Sequence, residues 1–290
     1  MMKYAYFPGC AAKATTTEAD GATRAVAKHL GVELVEFPNF SCCGAGVLHE
    51  ERPNLSAAVN ARNFAIAERE GLDIVTICNT CQLTMLKAKR TLDEDQQLRS
   101  RVNSRLAEFN LEYSGKTAIR HLLWVLIDDL GLSNLQEKIE RQLAGLNVAP
   151  FYGCHMLRPK DLLGMDDPRH PESLERLIAA VGATPVDYSS KTDCCGFHVM
   201  LVNQDVSVAR VASAMTEAKE HGADLVVTPC TLCQLTLDSY QYRAEKEANT
   251  DINMPVIHLP QLIGLALGLD RKELGLERHL VAVPEELPVE

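Results

Sequence analysis

The sequence has 290 residues, of which 46% are hydrophobic, so it can bury one large core or two ordinary ones. Its formal net charge of -10 argues against a nucleic-acid binder, which needs a basic stripe to neutralise phosphates. No stretch reaches the roughly 18–20 apolar residues that span a bilayer, and the N-terminus lacks the layout of a signal peptide. We therefore expect a cytoplasmic protein with no direct membrane span.

Strands and helices alternate along residues 1–92. Runs of strand-forming residues are followed by amphipathic segments, two of which end at a glycine. The predicted strands are Lys3–Phe7, Val32–Phe37 and Asp73–Ile77, and the predicted helices are Thr17–Leu30, Leu55–Glu70 and Gln82–Arg90. This order predicts a parallel sheet with right-handed crossovers.

Residues 93–146 contain no cysteine and show helical patterns. We predict a helical insert, either a cap over the sheet or a docking surface. Its predicted helices are Asp93–Phe109, Thr117–Leu130 and Asn134–Leu146.

Residues 147–268 repeat the pattern of residues 1–92. The predicted strands here are Val148–Tyr152, Thr184–Tyr188, Leu225–Thr228 and Val256–His258, and the predicted helices are Pro171–Val181, Val206–His221 and Leu259–Leu267. We expect the polar tail, residues 269–290, on the surface or against a partner. The sequence thus predicts an α/β fold of two pseudo-repeated, Rossmann-like parallel-sheet halves with a helical insert between them.

The ten cysteines form two sets of five in the same order. Each set has a lone cysteine, an adjacent pair followed by glycine, and a CxxC motif that begins 35 positions after the pair. The first cysteine set is Cys10, Cys42, Cys43, Cys78 and Cys81, and the second cysteine set is Cys154, Cys194, Cys195, Cys230 and Cys233. Each group follows a predicted strand, so a parallel sheet would bring five distant thiols to one edge.

Four chemistries compete for these thiols. A reducing cytosol disfavours structural disulfides, and a CxxC redox dithiol would leave three cysteines of each set unexplained. Structural zinc takes four ligands, whereas each set offers five. Thiolates are the usual ligands of iron–sulfur clusters, so the pattern favours one 4Fe-4S cluster per half, with one ligand more than a cubane needs.

The paired sets, from Tyr4 to about Leu267, resemble the duplicated CCG cysteine-rich domains of the B-type subunit of heterodisulfide reductase. The segment Gly153–Pro159 also resembles that family's second-repeat signature. The resemblance implies that each set of five cysteines holds one noncubane 4Fe-4S cluster, and that a disulfide is cleaved reductively between the two clusters.

The resemblance also implies an oxidoreductase subunit whose partners are a ferredoxin-like iron–sulfur subunit and a flavin subunit. Its substrate would be a disulfide, a thiol or a lipoate-bound sulfur. The Ala45-Gly46 continuation of the first pair favours a role in bacterial sulfur metabolism. The alternative is a non-catalytic electron-transfer or anchoring CCG subunit of a succinate dehydrogenase or fumarate reductase-type complex.

Two histidines follow the second-set motifs, where the first half has Ala11 and Gly46. We predict that His155 and His198 donate protons to leaving thiolates, or alternatively that they only hydrogen-bond a cluster sulfur or the backbone. The candidate contacts for an anionic substrate, if they are not simply solvated, are Lys13, Arg158, Lys160 and Lys191.

Overall fold

Two four-stranded parallel sheets organise residues 2–287, the part of the chain that the computed structural model describes. The strands are β1 (Met2–Phe7), β2 (Val32–Glu36), β3 (Ile74–Thr76), β4 (Ile119–His121), β5 (Asn147–Pro150), β6 (Thr184–Pro185), β7 (Leu225–Thr228) and β8 (Val256–His258). The spatial order is β2-β1-β3-β4 in the first sheet and β6-β5-β7-β8 in the second. The predicted α/β fold of two pseudo-repeated parallel-sheet halves is confirmed.

The register places the carboxyl ends of all four strands of a sheet on one edge. In the first sheet Ala5 of β1 pairs with Val35 and with Ile74. In the second sheet Val226 of β7 pairs with Ala149 and Val256. The loops that carry the cysteines leave from this edge in both halves.

Helices make up most of the connections between strands. They are α1 (Cys10–Ala14), α2 (Thr17–Leu30), α3 (Val47–Glu51), α4 (Pro53–Arg69), α5 (Asn79–Glu94), α6 (Gln96–Leu106), α7 (Leu122–Trp124), α8 (Leu132–Gln136), α9 (Cys154–Leu157), α10 (Lys160–Leu163), α11 (Ser173–Ala180), α12 (Gln204–Glu220), α13 (Thr231–Ser239), α14 (Gln241–Ala248) and α15 (Leu259–Ala266). A π-helical stretch, Val125–Gly131, joins α7 to α8. Short 3-10 turns lie at Ala107–Phe109, Ser189–Thr192, Phe197–Val199 and Leu276–Arg278.

The segment between the halves is not helical throughout. The predicted helix Thr117–Leu130 is wrong at its start, because Ile119–His121 forms β4 and pairs with β3. The two end residues of β4 are buried and its central residue is half-buried, which is the two-residue period of a strand. The long apolar run that follows has helical periodicity, so the strand was not predicted. The segment therefore completes the first sheet, while the boundaries 1–92, 93–146, 147–268 and 269–290 stay a prediction.

The third predicted helix of that segment, Asn134–Leu146, is wrong beyond Gln136, where α8 ends. The backbone amides that would continue it bond elsewhere. Glu140 donates to the carbonyl of Ala266, and Leu143 donates to that of Val181. Tertiary partners on the second half therefore replace the helical hydrogen bonds.

Each half ends in a helix that packs on the other half. Helix α15 follows β8 of the second half and contacts α2 of the first. Helix α8 follows β4 of the first half and contacts α11 of the second. One apolar core therefore contains residues of both halves, including Val26 and Leu123 of the first and Leu177 and Leu262 of the second.

Most described residues of the C-terminal tail lie on the surface, but a few buried side chains hold the tail to its own chain. Leu274 and Leu276 are 0% and 1% exposed. The Asp238 carboxylate accepts hydrogen bonds from the backbone amides of Leu280 and Val281, each at 2.9 Å. Apolar side chains and satisfied amides hold the tail, although residues 288–290 lie outside the described part.

We expect Leu274→Ala to lower the free energy of unfolding by about 2–5 kcal/mol, because it empties a fully buried site against Gly264 of α15. The matched control is Leu280→Ala, whose side chain is 73% exposed and should change stability by less than about 0.5 kcal/mol. Anaerobic urea unfolding measures both. Equal effects of the two variants would contradict the packing of the tail.

Candidate functional site

The structure brings the five members of each cysteine set together at the carboxyl edge of a sheet. In the first set Cys43 Sγ lies 3.4 Å from Cys81 Sγ. A hydrogen bond from Cys10 is the main cause that lowers the pKa of Cys42 to about 2, while the same contact raises the pKa of Cys10. In the second set the contact between Cys194 and Cys154 lowers the pKa of Cys194 in the same way.

The two sets differ in access to solvent. Cys10 and Cys42 are exposed, whereas Cys154 and Cys194 are half-buried. The remaining three members of each set are buried. They are Cys43, Cys78 and Cys81 in the first half and Cys195, Cys230 and Cys233 in the second. In each set the lone cysteine and the first cysteine of the pair are therefore more accessible than the second cysteine of the pair and the CxxC motif.

A glycine precedes each lone cysteine because the backbone there passes over the CxxC sulfur. Gly9 has φ +84°, and a Cβ on it would lie 3.1 Å from Cys81 Sγ. Gly153 has φ +70°, and a Cβ on it would lie 2.7 Å from Cys233 Sγ. Both the positive φ and the close approach require glycine.

The CxxC motifs open helices that point toward the cysteine sets. Cys78 is the N-cap residue of α5, and Cys230 is the N-cap residue of α13. The helix dipole favours negative charge at such positions and hence thiolates and an anionic cluster. Both CxxC motifs therefore lie at the N-terminus of a helix.

The two sets meet at the junction between the halves. Cys78 and Cys230 lie close enough that the Cys230 thiol is the first cause raising the pKa of Cys78. One residue further on, the Asn79 side-chain amide donates to the carbonyl oxygen of Tyr152 at 2.7 Å. The N-cap cysteines of the two CxxC helices therefore meet at this junction, and α5 packs on α9 of the second half.

The two candidate histidines come together with a residue of the first half. The Thr80 hydroxyl lies 3.0 Å from His155 Nδ1 and 3.5 Å from His198 Nε2. The histidine rings are 5.0 Å apart between centroids. Burial, followed by the charge of His198, lowers the pKa of His155. Sequence reasoning missed Thr80, because its partners lie on the other half.

The four candidate basic residues all bond groups of their own chain. Lys13 pairs with Glu36, and Lys160 lies 3.4 Å from Asp167. Arg158 donates to the carbonyl oxygens of Thr192 and Pro168. Lys191 pairs with the carboxylates of Glu175 and Asp187. An anionic substrate would have to compete with these contacts, so their role in substrate binding stays a prediction.

The family model of the CCG cysteine-rich domain matches the chain twice, over residues 4–86 and 148–238. The chain is 34% identical over 280 residues to a protein of Archaeoglobus profundus named for its likeness to the B-type subunit of heterodisulfide reductase, covering 95% of this chain and 94% of that one. It is 32% identical over 284 residues to the B-type subunit of the ferredoxin:CoB-CoM heterodisulfide reductase of Methanosarcina mazei, covering 97% and 94%.

The chain belongs to the family of CCG proteins that includes the B-type subunits of heterodisulfide reductases. It is also 39% identical over 279 residues to the 8-methylmenaquinol:fumarate reductase membrane anchor subunit of Wolinella succinogenes, covering 96% of this chain and 97% of that one. These relatives support an iron–sulfur subunit of a multi-subunit reductase complex. No helix within residues 2–287 has the length and apolar character needed to cross a membrane.

A solved structure of a hypothetical protein from Helicobacter pylori shares the fold, with a TM-score of 0.78 at 18% identity. It covers 97% of this CCG chain, which spans about half (52%) of that longer protein. At this identity the likeness supports the paired-sheet architecture alone.

The donor atoms of the CCG chain fit iron–sulfur clusters. Within residues 2–287 no three histidine, cysteine or acidic side chains are arranged around a single ion position. The two sets nevertheless offer only thiols, which are the ligands that iron–sulfur clusters take. Helix N-termini beside the CxxC motifs would offset the charge of such clusters.

Sequence reasoning also missed a histidine that ends the fourth strand of each sheet. His121 Nδ1 accepts a hydrogen bond from the backbone amide of Leu123 at 3.1 Å, and burial lowers the pKa of His121 to about 4. His258 holds the same position at the end of β8 and lies 3.4 Å from Glu18. In both places the histidine ends a strand and the leucine after it opens a helix, as in His121-Leu122 and His258-Leu259.

We expect Gly153→Ala to remove the iron of the second half, because its Cβ would overlap Cys233 Sγ. Anaerobic iron analysis should then give about half the wild-type content. The control is Gly164→Ala, which also has positive φ (+63°) but whose Cβ would lie 3.8 Å from its nearest neighbour. Full iron in Gly153→Ala would show that this contact is dispensable.

The neutral form of His121 makes stability depend on pH. Its folded pKa of about 4 lies below the unfolded value of about 6.5, so the unfolded chain binds the proton first and stability falls as pH drops from about 6.5 toward 4. His121→Asn, which keeps a capping side chain, should reduce the loss between pH 7.5 and 5.5 by about 1 kcal/mol. Urea unfolding tests this, with the exposed His170→Asn as control. Identical pH profiles for wild type and His121→Asn would refute it.

Proposed function

We propose that this protein is the electron-transfer subunit of a membrane-associated reductase complex of the fumarate reductase or succinate dehydrogenase type. Each cysteine set would hold one noncubane 4Fe-4S cluster through its five thiols. The clusters would supply one-electron steps, and partner flavin and ferredoxin-like subunits would complete the chain of carriers. This is the electron-transfer alternative that the sequence leaves open.

The continuous path of thiols across the molecule is the observation that carries this proposal. The path starts at exposed Cys10 and Cys42, passes through buried Cys78, and crosses the junction to Cys230. It reaches the surface again near half-buried Cys154. Such a path suits a relay, because electrons can enter at one surface and leave at another while the middle stays shielded from water.

The space beside the two histidines is where the cluster of the second half would sit. All five thiols of the second cysteine set line this cavity, together with His155 and His198. The residues of the chain there would hold and shield the cluster.

The similarity to the fumarate reductase subunit supports a quinol as the electron donor of the complex. That relative is named for 8-methylmenaquinol and matches this chain over nearly its full length. A quinol gives up two electrons, and two clusters, each accepting one, could take both. We therefore propose the direction quinol to clusters to partner subunits, at the membrane surface.

Disulfide chemistry at the second cysteine set, which the resemblance to heterodisulfide reductases implies, is the other candidate. The cluster of His155, His198 and Thr80 supports it, because it places two imidazoles next to Cys154 and Cys194. The corresponding first-half residues, Ala11 and Gly46, have no side-chain proton to donate. In this alternative the histidines would protonate leaving thiolates.

Anaerobically purified protein should contain about eight irons per chain, four for each cysteine set. The combined substitution Cys230→Ser and Cys233→Ser should lower this to about four, because it removes the CxxC ligands of one set only. Iron and acid-labile sulfide analysis measures both. Zinc in place of iron in the wild type would contradict the cluster assignment.

Chemically reduced protein distinguishes the two functions. A relay predicts that ferricenium, a one-electron oxidant, reoxidises the clusters rapidly, whereas lipoamide, a small disulfide, does not. Stopped-flow absorbance follows the clusters, and a thiol assay follows product. Formation of two thiols per lipoamide, lost in His155→Ala with full iron, would replace the relay with disulfide reduction.

A further inference from the structure

A pocket with aromatic walls lies beside the first cysteine set. Its volume is about 200 Å³, below the roughly 300–1,000 Å³ of sites for drug-sized ligands, so it suits a ring rather than a long molecule. We call it the aromatic pocket. Its lining residues include Phe7, Phe37, Phe40, Lys13, Glu36 and Cys42.

Three phenylalanine rings form the apolar wall of the aromatic pocket. Phe40 lies 5.8 Å from Phe7 and 5.2 Å from Phe37 between ring centroids, and the rings are tilted by 41° and 43°. Phe7 is buried, whereas Phe37 and Phe40 are half-buried. Such rings bind a flat conjugated ligand through faces and edges.

One edge of the aromatic pocket is polar. The Lys13 ammonium pairs with the Glu36 carboxylate, which also accepts from Arg24. Lys13 carries three N–H donors, so it can donate to a ring oxygen while it keeps this ion pair. The Glu36 carboxylate can accept from a ring hydroxyl. A carbonyl or hydroxyl on the ring therefore has both a donor and an acceptor within the lining.

The opposite edge of the aromatic pocket touches the first cysteine set. Cys10 and Cys42 both line it, and both are exposed. A ring in the pocket would therefore lie against two proposed cluster ligands, with no protein layer between ring and ligand sulfur.

The second half lacks this arrangement. The positions of Phe37 and Phe40, counted back from the cysteine pair, are occupied there by Ser189 and Thr192. The hollow on that side is lined by charged groups such as Glu175 and Glu217. Within residues 2–287 the rings of Phe37 and Phe40 are thus features of the first half alone, whereas Phe7 has a counterpart in Phe151.

We propose that the aromatic pocket binds the ring of a quinol and passes its electrons to the first cysteine set. This inference rests on the proposed function and locates the donor site within it. The ring loses two hydroxyl protons and two electrons and becomes a quinone. One electron would pass to the cluster of each cysteine set, the second by way of Cys78 and Cys230, and the protons would leave by the Lys13 and Glu36 edge.

The test uses menadiol, a soluble naphthoquinol, and the full chain with oxidised clusters. Stopped-flow absorbance measures cluster reduction. The double variant Phe37→Ala and Phe40→Ala should slow reduction by menadiol about tenfold or more, while reduction by dithionite stays unchanged. The matched control Phe109→Ala removes a phenylalanine that is 66% exposed and lies outside the pocket lining, and should behave as wild type.

Lys13→Gln is a second test of the pocket, needed in case the double variant does not fold. The Lys13 side chain is exposed, so replacing it should not affect folding. The variant should raise the menadiol concentration for half-maximal rate about fivefold or more, since one charged hydrogen bond is lost. If menadiol kinetics were unchanged in Lys13→Gln and in a double variant with full iron, the aromatic pocket would not be the quinol site. The proposed relay fed by a quinol would be unaffected by that result. Clusters that dithionite reduces but menadiol does not would overturn both the pocket and the quinol donor.

Discussion

The contact between the CxxC thiols Cys78 and Cys230 is the constraint on which the rest of the structure depends. Two parallel sheets bring five thiols each to a carboxyl edge, but only the junction at Cys78 and Cys230 makes them one system. The hydrogen bond from Asn79 to the Tyr152 carbonyl and the exchanged helices α8 and α15 hold this junction. A change in the packing of these helices would alter the separation of the two sites before it altered either site.

The repeated backbone carries two chemically different sites. The first has exposed cysteines, aromatic walls and no histidine at Ala11 or Gly46. The second has half-buried cysteines beside paired imidazoles, and a threonine from the other half completes it. The fold therefore supplies the positions of the thiols. The residues around them give the first cysteine set a pocket for a ligand and the second cysteine set two groups that can carry a proton.

The alternating pattern and the cysteine spacing were sufficient to predict the sheets, the edge on which the thiols gather and the family. They were not sufficient for β4, whose three residues lie inside an apolar run that has helical periodicity. The buried residues of the tail and the role of Thr80 were not predicted, because their partners are distant in sequence and local patterns do not record such contacts. Local sequence patterns predict the helices and strands, whereas contacts between the two halves determine how these elements pack.

The exchange of terminal helices resembles the way in which two copies of one half would close around a twofold axis. Two identical copies, however, would have to carry identical sites. Covalent linkage of the halves removes that symmetry requirement and fixes their ratio at one to one at any protein concentration. An aromatic wall can then arise at one end and a histidine pair at the other without either having to serve both roles.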